Sequence, residues 1–282
     1  MAWGEGNLPE DDPDQGNLAR GLIHAFGIID RIRVIALVGG GGKTSLMYAL
    51  AREMVDQGKT VISTTTTKIY PPNASESPHL ILADNDPHLT ELSALLSEFK
   101  HVTVGRSIDP SSTKMLGLPV EKITALSGCA HWVLVEADGA AGRPVKAPAE
   151  WEPVIPPCSD LVIAVVGLDC LGRPAEEKTA FRLEKFLDLT GLRRGDLITP
   201  ESIGRLLTHD EGGLKRVAPG MDVVPFLNKL DVLNDSAPVI EIINTIRQRG
   251  RARIQRIVTG SLRDRIQVNV YGCGELNGGH EY

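Results

Sequence analysis

Aromatic residues are scarce in this chain. Phe, Trp and Tyr together make up 4% of its 282 residues. A large aromatic core is thereby excluded, and the interior has to be aliphatic, as in sheets of Val, Ile and Leu beneath helices. Cysteine is nearly as sparse: Cys129, Cys158, Cys170 and Cys273 include no CxxC pair, so zinc-ribbon and thioredoxin spacings are missing. Small hydrophobic cysteines fit a reducing cytoplasm, the expected location. Long apolar runs are also lacking. The longest, Leu161 to Leu168, is far too short to span a bilayer. The opening MAWGEGNLPEDDPDQGN is acidic and has no apolar heart, so it does not read as a secretory signal. Residues 1–17 are expected to form a mobile tail before a single domain over 18–282. A basic excess is missing too: 30 Lys and Arg against 36 Asp and Glu leave −6. Neither nucleic acid nor a membrane is therefore expected as a partner. The histidines show no HxH or HExxH spacing, and no histidine metal site is expected.

What is present is an alternation of short apolar runs and helical patterns. The spacing predicts strands over 32–38, 59–64, 79–83, 101–105, 132–137, 161–166, 222–227, 254–258 and 266–270. Helices are expected over 45–57, 87–99, 175–189, 200–208 and 238–249. Pro225 places the 222–227 strand at an edge or near a strand end. Two stretches, 105–119 and 142–157, read as long loops, which in compact domains are usually functional. The order implies an α/β fold, a mostly parallel sheet with flanking helices, and ligands beyond the carboxyl ends of its strands.

Three motifs lie at such strand ends. GGGGKT, Gly39 to Thr44, follows the first buried run and opens a helix. Gly39, Gly40, Gly41 and Gly42 let backbone N–H groups turn onto phosphate oxygens, and the helix start through Ser45 adds partial positive charge. Lys43, a loop residue with no expected core role, would reach the outer phosphates, and the Thr44 hydroxyl would hold Mg²⁺. The usual GxxxxGK[ST] pattern needs glycine at position 37, where this chain has Leu37. Such shortened loops occur in Mur-type ligases and in the metal-chaperone branch of P-loop NTPases. That branch often has a lysine just before the glycines, where this chain has Val38. The second motif is Asn228-Lys229-Leu230-Asp231. It resembles the NKxD motif of GTPases, in which a carboxylate accepts both guanine donors, N1–H and the 2-amino group. Adenine would leave that carboxylate unpaired. The third is Glu136-Ala137-Asp138-Gly139, carboxylates at the tip of a buried strand. Asp138, before a glycine turn, is the preferred metal ligand, with Glu136 placed to position water. Arg143 and Lys146 follow closely and could touch the γ-phosphate or an anionic substrate. In Thr64 to Lys68 a threonine could sense the γ-phosphate, although four threonines also simply favour a strand. The arginines from Arg247 to Arg265 read as a solvated helix end and strand face rather than an anion site.

GGGGKT, TTTTK, EADGAAGRPVKAPAEWEPVIP, VVGLDCLGRP and LNKLD together resemble the YqeC family of selenium-dependent hydroxylase accessory proteins, over about residues 20–270. The resemblance implies a variant P-loop NTPase-like fold. It also implies a role in maturing selenium-dependent molybdenum hydroxylases, with the client metalloenzyme or its cofactor as partner. Where the family frequently has a histidine–arginine pair, this chain reads Phe181-Arg182. The leading expectation is a Mg²⁺-dependent GTPase acting as a maturation factor. The alternatives are an ATP-dependent ligase or kinase on a small substrate, and a non-catalytic interaction module with a bound nucleotide.

Overall fold

The computed structural model describes residues 16–83, 89–263 and 266–273. Along the chain, β1 (Asn17–Leu18) and α1 (Leu22–Ala25) precede β2 (Val34–Gly39), α2 (Lys43–Asp56), β3 (Val61–Thr65), β4 (Lys68–Ile69) and β5 (Leu80–Leu82). Then come α3 (Leu89–Phe99), β6 (His101–Gly105), β7 (Met115–Leu116), α4 (Val120–Ser127), β8 (Trp132–Glu136) and β9 (Val145–Lys146). The second half holds β10 (Leu161–Gly167), β11 (Ala180–Phe181), α5 (Leu183–Thr190), α6 (Pro200–Thr208), β12 (Asp222–Asn228), α7 (Ala237–Gln248), β13 (Arg256–Ser261) and β14 (Gln267–Gly272).

Ten strands form one sheet in the order β1-β14-β13-β12-β10-β2-β8-β3-β6-β5. The eight from β13 to β5 run parallel, and β14 and β1 add an antiparallel edge. Alternate residues face opposite sides, as strand geometry requires. Ile35, Leu37, Ile163 and Val165 meet Leu46, Leu50 and Met54 of α2. Ala36, Val38, Val162 and Ala164 belong to the cluster that holds Phe186 of α5, Ile203 of α6 and Ile242 of α7. The chain builds β3, β5, β6 and β8 on one side of β2, then β10, β12, β13 and β14 on the other. The loop after β2 thus lies at the switch point where outgoing connections diverge, the preferred ligand position in such sheets. Among the described residues no helix is long and apolar enough to cross a membrane.

Four expectations change. The helix expected over 175–189 begins only at Leu183. Ala180 and Phe181 instead pair with Val145 and Lys146, and Arg182 takes a left-handed φ of 61° that ends any preceding helix. Tertiary pairing there overrides a helical pattern. The supposed 105–119 loop contains β7, which pairs with β4, and the 142–157 loop contains β9. Pro225 is not at an edge, because β12 lies between β10 and β13. Val223 bridges Ile254 while Phe226 pairs with Val258, so the neighbouring strand carries one extra residue there. The ladder is interrupted at that bulge, where a residue without an N–H is tolerated. Of the segment expected as a tail, residues 1–15 lie outside the described residues, and Asn17 pairs with Val270. Residues 87 and 88 of the expected 87–99 helix also lie outside them.

Candidate functional site

The parallel strands bring β2, β8, β10 and β12 to a common edge, and the three motifs meet there. The glycines are dictated by crowding. Gly39 has φ 95° and lies against the Val165 carbonyl, and Gly41 has φ 80° and lies against the Gly167 backbone. A side chain at either would be strained and would collide. Leu37, by contrast, is fully buried inside β2, which explains why the loop starts only at Gly39. Its first amides are bound within the chain: Gly39 N–H to Asp138 Oδ2 (3.0 Å), and Gly40 and Gly41 N–H to the Val165 and Arg143 carbonyls (2.9 and 3.0 Å). Helix α2 begins at Lys43. The first amides of a helix have no intrahelical acceptor, so they form an anion-facing end.

Lys43 is not a solvated loop lysine. It is 4% exposed, donates to the Gly39 carbonyl at 2.6 Å, and pairs with Asp138 Oδ1 at 3.1 Å and Glu136 Oε1 at 3.6 Å. Burial alone would pull its pKa down, but Asp138 and Glu136 outweigh it and hold the ammonium above its ordinary value. Leu37 and Glu136 are register partners across β2 and β8, so Glu136 lies on the α2 face of the sheet. There its Oε2 accepts from the Thr44 hydroxyl at 2.6 Å. Burial pushes the Glu136 carboxyl up, against the pull of Lys43 and Thr44. Asp138 is 2% exposed. Its Oδ1 is within ion-pair reach of Lys43 but takes part in no hydrogen bond.

From Asp138 the charges continue in alternation. Lys146 Nζ lies 3.2 Å from Asp138 Oδ2 and 2.6 Å from Glu152 Oε2. Glu152 in turn takes Arg182 Nη2 at 2.9 Å. Burial opposes ionisation of Glu152, but Arg182 and Lys146 outweigh it and hold its carboxyl below the ordinary range. Glu152 is a site neighbour that sequence reasoning missed, and Arg182 enters that reasoning only through the family's histidine–arginine pair, with no partner assigned. A signal existed in the acidic residue six positions after Lys146, but the 30-residue separation to Arg182 carries none.

Arg143, expected at the outer phosphate, turns its guanidinium to the Glu177 and Ala141 carbonyls and meets the glycine loop through its own carbonyl. Thr64, Thr65 and Thr66 spend their hydroxyls on the Val104, Glu136 and Val154 carbonyls, each at 2.7 Å, and so stitch strands and loops together. Asn228 donates to the Gly41 carbonyl at 2.8 Å. Lys229 pairs with Asp169 at 2.8 Å. Asp231 lies in an exposed turn. In the arginine-rich end, Arg247, Arg251 and Arg253 bind the Gly272, Thr208 and Val217 carbonyls, a structural use. Arg265 lies outside the described residues.

Among the described residues no group of three or more His, Cys, Asp and Glu could hold a metal alone. An ion at Thr44 and Asp138 would therefore need ligand oxygens to complete its shell, as Mg²⁺ bound with phosphates does.

A family model for the YqeC protein matches residues 35–184, which hold the glycine loop, both carboxylates, Lys146, Glu152 and Arg182. The chain is also 33% identical over 229 residues to the uncharacterized protein YqeC of Escherichia coli (strain K12), covering 80% of this chain and 88% of that protein. By both measures the chain belongs to the YqeC family.

Proposed function

We propose that this chain is a variant P-loop NTPase that binds a Mg²⁺–nucleoside triphosphate, GTP ahead of ATP, and hydrolyses it in the maturation of selenium-dependent molybdenum hydroxylases. The observation that carries this reading is the hydrogen bond from Asn228 to the Gly41 carbonyl at 2.8 Å, across 187 positions of sequence. It seats the candidate base-reading motif directly on the candidate phosphate loop.

The donor set suits Mg²⁺. A buried Asp138 oxygen without a hydrogen bond and the Thr44 hydroxyl beside Glu136 are hard oxygen ligands. When bound, Mg²⁺ would neutralise charge on the phosphoryl oxygens. In this reading the protein's own groups do the rest. Amides at the start of α2, from Gly42 to Ser45, face the phosphates. Lys43 would exchange its carboxylate partners for phosphate oxygens, one set of charge-assisted bonds for another, with Asp138 and Thr44 as the residues that would hold the metal. Glu136, whose carboxyl is held up by burial, orients a water and takes its proton. Lys146, bonded to Asp138 on the side away from Lys43, adds positive charge to the site.

The test is calorimetric titration with Mg–GTP and Mg–ATP, followed by multiple-turnover phosphate release alone and with a client hydroxylase. GTP is expected to bind about tenfold or more tightly. Equal affinities would put an ATP-dependent ligase or kinase ahead. Binding without turnover under either condition would leave a non-catalytic module. Asp231→Asn offers an acceptor for N1–H and a donor for the 2-oxygen of xanthine, whereas guanine presents two donors there, so the variant should invert the preference of GTP over XTP. An unchanged preference would reduce NKLD to a polar turn.

A further inference from the structure

Two buried acceptor oxygens beside the glycine loop have no donor: Asn228 Oδ1 and Asp169 Oδ1. Asp169 belongs to none of the three sequence motifs. It follows β10, and Asn228 ends the neighbouring β12, where Gly167 and Asn228 are register partners. Asn228 is 4% exposed. Buried acceptors are nearly always paired, so two orphans next to each other in a fold need an explanation, and a ligand is one. The remaining atoms of both side chains are committed. Asn228 Nδ2 holds the Gly41 carbonyl, and Asp169 Oδ2 holds Lys229 Nζ at 2.8 Å.

Lys229 itself is unusual. Its φ of 65° is left-handed, a conformation rare outside glycine and costly for a lysine. Its ammonium nevertheless reaches Asp169 across the gap between the two strand ends. The four-carbon stem is thus anchored at both ends, by backbone and by ion pair. A held stem presents apolar surface to a flat ring without the ordering cost of a free lysine. Beside it stand two unpaired acceptors. That combination suits a planar ligand carrying N–H donors, such as a purine base.

We infer that Asp169 is a specificity-determining positioning residue. It anchors Lys229 beside the phosphate loop, and with Asn228 it supplies acceptors for the donors of a bound purine. The inference rests on the nucleotide-binding reading, but it assigns base selection to a residue outside the NKLD motif.

The experiment uses the full chain and competition binding of GTP, ATP and inorganic tripolyphosphate. Asp169→Asn keeps shape but removes the anchoring charge. It should lower the GTP-over-ATP preference by about tenfold, because the site's polar groups lose their arrangement, while tripolyphosphate affinity stays as in the wild type. Lys229→Met keeps an apolar stem without its ammonium and should lower the preference by a similar factor. The double variant should be no worse than either single one, since the pair acts as a unit, and Asp169→Glu should restore part of the preference. Unchanged preference in Asp169→Asn overturns the inference. So does an equal loss for GTP and tripolyphosphate, which marks a merely structural role. If Asp169→Asn does not fold, Lys229→Met decides: retained preference overturns the inference and lost preference supports it. A wild type that binds no nucleotide removes the nucleotide reading and this inference together. A wild type that binds GTP and ATP equally overturns this inference and the preference for GTP, and leaves nucleotide binding itself standing.

Discussion

The proposed phosphate-binding role requires Lys43 to be free to move, yet in the structure it is the cation beside Glu136 and shares Asp138 with Lys146. The sequence alone suggests a lysine whose removal spares the fold, and the structure corrects this. Lys43→Ala leaves the buried Glu136 without its cation and Asp138 with Lys146 alone, and breaking such a buried group typically costs about 3–5 kcal/mol at neutral pH. The loss has a definite pH dependence. Glu136 already has a raised pKa, and without Lys43 it rises further, so the variant folds with that carboxyl protonated once the pH is low enough. The unfolded chain binds that proton less tightly, so acidification favours the folded variant. Urea unfolding of both proteins at about pH 7.5 and about pH 5.5 should show a smaller gap at the lower value. An equal gap at both would mean that the carboxylates find other partners. Triphosphate binding should fall about tenfold to a hundredfold in the same variant.

At the scale of elements, β3 and β6 show how a polar residue is accommodated in a buried strand. His101 opens β6 with 4% exposure, and its Nε2 lies 2.8 Å from the Ser63 hydroxyl of β3. Burial pushes the imidazole pKa down to about 4, so the ring is neutral in the folded chain at neutral pH. In the unfolded chain it titrates near 6.5. Between those values the unfolded state binds more protons, so this residue's contribution to stability is present above about pH 6.5 and is lost as the pH falls toward 4. The full window corresponds to about 3 kcal/mol, an upper figure for one histidine. Replacing His101 by Gln, which keeps a hydrogen-bonding group without this titration, should flatten the acid limb of the urea midpoint between about pH 6.5 and about pH 5. A limb of unchanged slope would remove His101 as its source. The same scale explains the misread segment 175–182. Its pattern suits a helix, but Ala180 and Phe181 gain a partner strand in β9, which carries Lys146 to Asp138.

For the whole molecule, burial predicts where the fold opens first. Strands β2, β8 and β10 are central and almost wholly buried, whereas β5 is short, partly exposed and at the sheet edge. Local opening draws on regions with few buried contacts. In native-state hydrogen exchange, peptides from β10 should exchange only with global unfolding, and those from β5 by local opening. Equal protection of the two would contradict a central β10 and an edge β5. Bound nucleotide should slow exchange most in peptides containing Gly39–Ser45 and Asn228–Asp231, because a ligand stabilises the state it binds.

Much was legible in the sequence because short-range rules govern it. Apolar runs bounded by turn residues marked the parallel strands, and helical spacing marked α2, α6 and α7. The glycine run after β2 pointed to a candidate phosphate loop, since no other residue tolerates that backbone. Four things were decided only by tertiary structure. They are the burial of Lys43 between two carboxylates, the chain of charge from Asp138 to Arg182, the bond from Asn228 to Gly41, and the anchoring of Lys229 by Asp169. Apart from the short steps from Asp138 through Lys146 to Glu152, each joins residues far apart along the chain that the fold brings together near the ends of parallel strands. Periodicity and spacing describe neighbours along the chain. Electrostatic partnership depends on distance in space, and the order of strands in the sheet determines that distance.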